Sequence, residues 1–188
     1  MTQVDMTREG STRPREPVRP GTSGLKTRYL LLSLSVLVAD QWSKWLVGLH
    51  LPEYAVQPLI PGCLNLTHVK NTGVAFGLFA AAGQGAGSWI LAGLGLAALA
   101  LVTLYFWRVP RDNHLLQTAL ALVLGGAVGN LLDRVAAGAV TDFIDFYVGT
   151  WHWHTFNVAD SGITVGIVLI AWDSLRHHRR PAVEEPAG

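Results

Sequence analysis

From Gly87 to Trp107 the chain runs without a single charged residue. A helix needs about 20 such residues to cross a hydrocarbon core of roughly 30 Å. Three further apolar stretches, about Tyr29–Leu49, Leu115–Ala136 and Phe156–Leu175, have similar lengths. Together they explain why only 14% of the 188 residues are charged, against about 25% in ordinary soluble domains. The pattern predicts an α-helical membrane protein with four spans. Three spans are not purely apolar: the first contains Asp40, Gln41, Ser43 and Lys44, the third Asn130, Asp133 and Arg134, and the fourth Asp160. Polar groups at that depth require protein or water beside them rather than lipid, so the spans must pack together around these residues.

Basic residues orient the spans. Arg8, Arg13, Arg15, Arg19, Lys26 and Arg28 precede the first, Arg108 and Arg111 follow the second, and Arg176, Arg179 and Arg180 follow the fourth. The alternate loops hold only Lys70 between Lys44 and Arg108, and no Lys or Arg between Arg134 and Arg176. By the positive-inside rule both termini are cytoplasmic. Most of the seven tryptophans fall near proposed span ends, where amphipathic rings favour the headgroup region. The expected organisation is a disordered basic cytoplasmic extension over 1–28, a membrane domain over 29–175 and a basic cytoplasmic tail over 176–188. A cleaved signal peptide would need a small-residue cleavage site after the first apolar stretch, and none precedes the Asp40 cluster. Cys63 is the single cysteine, which excludes an intramolecular disulfide. Composition marks Ala82–Gly87 and Pro52–Lys70 as the candidate mobile segments.

Five polar clusters carry the candidate chemistry. Asp40 and Lys44 are four apart on one helical face, where opposite charges pair. Asn71-Thr72-Gly73-Val74-Ala75-Phe76-Gly77 follows strand-like alternation at Leu64, Leu66 and Val69, and its Asn and Gly suit a turn. Gly125, Gly129 and Asp133 recur every four residues, placing small residues and an acid on one face suited to close helix approach. Beside them stand Asn130 and Arg134, whose guanidinium fork could anchor a carbonyl or carboxylate. Val140–Asp145 reads as an extended stretch, and Asn157, Asp160 and Thr164 follow at helical spacing.

Asp142 and Asp160 thus flank one short loop. Two neighbouring carboxylates share a proton, because both cannot easily ionise. The ionised member can activate water while the protonated member polarises a carbonyl, giving amide hydrolysis without a nucleophilic side chain. Residues of the same types could instead form a proton relay in a transporter, through Asp40, Asp133 and Asp160. His68, His152 and His154 could form an extracytoplasmic metal site. A purely structural subunit would account for the glycines but not for the paired acids.

The motifs DQWSK (Asp40–Lys44), NTGVAFG (Asn71–Gly77), GNLLDR (Gly129–Arg134), VTDFIDF (Val140–Phe146) and FNVAD (Phe156–Asp160) occur in the order found in lipoprotein signal peptidases, and the chain resembles that family, also called signal peptidase II, over about 29–175. The resemblance implies a four-helix aspartyl protease of the bacterial inner membrane, with a small extracytoplasmic β-cradle between the first two spans and its active site at the outer membrane border. Its substrates would be diacylglyceryl-modified prolipoproteins, cleaved just before the lipidated lipobox cysteine. Asp142 and Asp160 match the catalytic dyad. Asn71, Asn130, Arg134 and Asn157 match polar residues lining the site, and Asp40, Lys44 and Asp133 match residues that organise it. Thr141 stands where the family often has valine, and Asp145 is a second acid beside the matched one. The resemblance further implies contact with membrane lipids and inhibition by globomycin-type peptides, with no cofactor, metal or nucleic-acid partner.

Overall fold

The computed structural model describes residues 23–73 and 86–178. Most of the N-terminal extension, residues 74–77 of the second motif, residues 82–85 of the candidate mobile loop and the tail from 179 onward lie outside the described residues. Helix α1 (Ser23–His50) is followed by strands β1 (Val56–Ile60) and β2 (Leu64–Asn71), then helices α2 (Ala86–Arg108) and α3 (His114–Ala137). Strands β3 (Val140–Val148) and β4 (Trp151–His152) and helix α4 (Val158–His178) complete the order. All four helices are long and apolar enough to cross a membrane.

The helices divide into one central and three peripheral members. Within its most apolar window α3 is 61% buried, whereas the corresponding windows of α1, α2 and α4 are at most 17% buried. Leu94, Leu101, Val165 and Val168 project outward on α2 and α4, as side chains facing hydrocarbon do. Close packing of α3 depends on missing side chains. A Cβ on Gly125 would lie 2.5 Å from the Ser33 carbonyl oxygen of α1, and one on Gly129 would lie 2.6 Å from Asp40 Oδ2. Gly126, one position on, is turned instead against Ala159 and Ile163 of α4. The four-residue glycine spacing is therefore the α1-facing stripe of α3, and Asp133 continues it.

The helix ends are tied by side chains. Lys26 Nζ, buried, donates to the Phe106 and Trp107 carbonyls at 2.9 and 3.0 Å, satisfying acceptors that the last turn of α2 leaves open. This contact explains why α1 begins at Ser23, six residues before the apolar stretch does: its basic first turns fold by packing, which hydropathy does not register. Asn113 caps α3 by accepting from Leu116 N at 3.1 Å.

The antiparallel sheet has the order β1-β2-β3-β4. It draws on the loop between α3 and α4 as well as that between α1 and α2, so the cradle is wider than the segment between the first two spans. Val69 pairs with Asp142 and Asn71 with Val140 across β2 and β3. Beyond β4, Phe156 N donates to Ile144 O at 3.0 Å, and Ile144 N returns a bond to Phe156 O at 2.9 Å. This clasp holds the residues just before α4 against β3. The fourth helix begins at Val158 because Phe156 is committed to it.

Gly125→Val should lower the unfolding temperature of the detergent-solubilised protein, by an amount equivalent to about 1–3 kcal/mol of overpacking. Gly93→Ala, where an added Cβ meets nothing within 4 Å, should be neutral or slightly stabilising through helix propensity.

Candidate active site

The β3–Phe156 clasp brings the two acids to one place. Asp142 is almost fully buried. Its Oδ2 accepts from Asn71 Nδ2 at 2.9 Å, and its Oδ1 accepts from Asn157 Nδ2 at 2.8 Å. Asn71 is held for this by a turn in which Gly73 N donates to its Oδ1 at 2.8 Å; Gly73 has φ +81°, a conformation open to glycine at no steric cost.

Asp160 sits in the first turn of α4 in a capping box. Its backbone N–H donates to Asn157 Oδ1 at 2.9 Å, and its Oδ2 accepts from Asn157 N at 3.3 Å. The other oxygen, Oδ1, accepts from Asn130 Nδ2 at 2.7 Å. Asn157 therefore touches both acids, through its Nδ2 to Asp142 and through its Oδ1 and N–H to Asp160, while remaining wholly buried.

Behind the acids lies a charged hub. Lys44 Nζ donates to Asp40 Oδ2 at 2.7 Å, to Asp133 Oδ2 at 2.9 Å and to Asn130 Oδ1 at 3.1 Å. Asp40 Oδ1 accepts from the Ala159 N–H at 2.9 Å, so a carboxylate of α1 satisfies an open donor at the start of α4. Asp133 accepts from Thr141 N at 3.2 Å and from Gln41 Nε2 at 3.0 Å, tying α3 to β3 and α1. Arg134 donates from Nη1 to Asn130 O at 3.2 Å, and its buried Nε has no hydrogen-bond partner among the described residues.

A cavity of about 460 Å³ opens onto this array, lined by Asn71, Asp142, Trp153, His154, Thr155, Phe156, Asp160, Ser161, Thr164 and Val165. Of the nine residues singled out from sequence, Asn71, Asp142 and Asp160 line it. Asn130 and Asn157 support the acids from behind, and Asp40, Lys44 and Asp133 form the hub. Arg134 is bonded to Asn130 but is not in the cavity wall. The sequence assigns no role to Gln41 or Thr141, whose polarity inside motifs was a usable signal, or to Trp153, and it offers His154 only as a metal ligand; Trp153 and His154 reach the cavity through the β3–β4 pairing.

Two acids on β3 have opposite electrostatic settings. Burial pushes the Asp142 carboxyl above the ordinary carboxylate range, with the Asn71 bond opposing and the nearby Asp160 charge adding to the rise. For Asp145 burial acts in the same direction, but bonds from Asn65 and His152 outweigh it and hold the group below that range. Asp145 is thus held as the anion, 2.8 Å from His152 Nδ1, whereas burial favours a proton on Asp142. The three histidines considered as metal ligands are engaged separately: His68 with Leu51 O, His152 with Asp145 and His154 with Thr155 O. Among the described residues no group of three His, Cys, Asp or Glu has metal-binding geometry.

Four apolar helices, a small antiparallel sheet and two acids lining one cavity define a multi-pass membrane enzyme, and solved structures agree. One described as a bacterial membrane enzyme determined by the in meso method at 1.9 Å resolution matches with a TM-score of 0.70 and 30% identity, over 80% of this chain and 94% of that one. A second so described, at 2.3 Å, gives a TM-score of 0.68 and 30% identity over 86% and 95% of the two chains. The family model for signal peptidase (SPase) II matches residues 32–176. The lipoprotein signal peptidase of Polynucleobacter necessarius subsp. necessarius (strain STIR1) is 45% identical over 149 residues, 79% of this chain and 90% of that protein. That of Burkholderia mallei (strain SAVP1) is 44% identical over 158 residues, 84% and 93% of the two chains. The chain belongs to the signal peptidase II family, and it is a protease.

Lys44→Met should be strongly destabilising, by about 3–5 kcal/mol, because it strands the buried Asp40 carboxylate and the partly buried Asp133 one. Thermal unfolding in detergent should show the loss, and adding Asp40→Asn and Asp133→Asn to the same chain should recover part of it.

Proposed function

We propose that this protease removes the signal peptide from diacylglyceryl-modified prolipoproteins, hydrolysing the bond just before the lipidated cysteine, with Asp142 and Asp160 as its catalytic pair. The observation that carries the reading is the placement of both acids in the wall of one cavity, each bonded to Asn157, in a chain of the signal peptidase II family. Asp142, the member that burial inclines to keep a proton, is the acid that polarises the scissile carbonyl. Asp160 is the base that takes a proton from the attacking water. The tetrahedral adduct then collapses as the leaving amine accepts a proton, and the pair returns to its singly protonated state. Asn71, Asn130 and Asn157 hold the acids in register, Asp40, Lys44 and Asp133 hold the helices that carry them, and Arg134 sets a positive charge near both acids.

Both termini lie on the cytoplasmic side of a bacterial inner membrane, as the basic residues before α1, between α2 and α3 and after α4 support. The sheet and the cavity then lie at the extracytoplasmic border, where a peptide bond meets water while acyl chains stay in hydrocarbon. Each methylene kept in lipid contributes about 0.8 kcal/mol to holding the substrate in the membrane, where the cavity opens. Globomycin-type peptides would inhibit by occupying the same cavity.

A gel mobility-shift assay in detergent tests the reading with a diacylglyceryl-modified prolipoprotein and its unmodified precursor. The wild type should cleave only the lipidated substrate, and Asp142→Asn and Asp160→Asn should each reduce the rate by about 10²–10⁴-fold or more while remaining folded. Full activity in either variant would remove that acid from the pair. Because the Asp142 carboxyl is raised, the singly protonated pair should persist above the ordinary carboxylate range, and kcat/KM should fall as pH climbs through the raised value. The contribution of Asp142 to stability runs the same way, complete below its unfolded-state value and lost as pH rises through the folded one.

A further inference from the structure

His154 lies in the cavity wall with both acids, and no step above uses it. Its backbone setting is pinned on each side: Trp153 N donates to Phe146 O at 2.8 Å, and Phe156 N to Ile144 O at 3.0 Å. The side chain is exposed. Nδ1 lies 2.8 Å from the Thr155 carbonyl oxygen, which can only accept, so Nδ1 is the donor there. Histidine is the side chain whose charge ordinarily changes between about pH 5 and 8. The other charges around the acids are committed. Lys70 on β2 bonds Thr141 Oγ1 at 2.8 Å, Asp145 on β3 pairs with His152 on β4, and Lys44 on α1 is shared by Asp40 and Asp133. Arg134 on α3 reaches Asp160, Asp142 and Asp133 electrostatically and keeps its charge throughout.

We propose that His154 is a positioning residue for the acid pair, a wall-mounted imidazole whose charge sets the pH range over which Asp142 and Asp160 hold one proton between them. The inference rests on the peptidase reading above. A protonated ring favours ionised Asp142, acting against the burial and the Asp160 charge that raise it. The basic limb of the activity profile therefore depends on the charge at position 154.

The test is the pH dependence of kcat/KM toward the lipidated prolipoprotein for wild type, His154→Gln and His154→Arg. The basic limb of His154→Gln should lie about half a pH unit above that of His154→Arg, with the wild type at or between them, for a solvent-screened group. A ring that only shapes the wall would scale activity down equally at every pH. Superimposable limbs, or limbs displaced in one direction by both substitutions, would overturn the inference while leaving the peptidase intact. An inactive wild type would overturn the peptidase reading itself, and the inference with it.

Discussion

A lysine buried among helices that face lipid is the constraint on which the rest depends. An unpaired ammonium there would cost several kcal/mol. Lys44 avoids this by drawing Asp40 and Asp133 onto itself, which fixes α1 against α3. Asp40 spends its second oxygen on the Ala159 N–H and so fixes the start of α4. The glycines at 125 and 129 let the backbones come near enough for these bonds to form. Three helices that would slide freely past one another in an apolar solvent thereby acquire one register.

That register matters because it is delivered to a strand. Asp133 holds the Thr141 N–H, and the residue after Thr141 is Asp142. Three positions along, Asp145 lies on the opposite face of β3, as strand alternation requires. There Asn65 and His152 are waiting, whereas Asp142 finds Asn71, Asn157 and the charge of Asp160. Identical side chains on one strand are given unlike chemistry by the face they occupy.

Much of this was legible in the sequence. Hydropathy located the spans to within a few residues, because an apolar run of membrane length has few alternative uses, and the i, i+4 spacing of Asp40 and Lys44 announced their pair. The spacing of Gly125, Gly129 and Asp133 gave a shared face, though not that it meets α1. The sequence pairs Asp142 with Asp160 and notes Asp145 only as a second acid beside it; that the two carboxyls are shifted in opposite directions follows from the strand face each occupies. The start of α1 was read too late, since its basic first turns are held by the reach of Lys26 to α2, a contact between residues about 80 apart in the chain. The contribution of β3 and β4 to the sheet, and with it the arrival of His154 at the cavity, depended on pairing that no local pattern encodes.

Asn157 joins the two acids through an amide, a group that neither gains nor loses a proton at any pH the protein would meet. A carboxylate or imidazole in that place would pull and push on its neighbours as they titrated, and the gap between them would breathe with every turnover. An uncharged link works as a spacer of constant length. In the proposed mechanism the acids trade charge while the distance across which they do so stays the same.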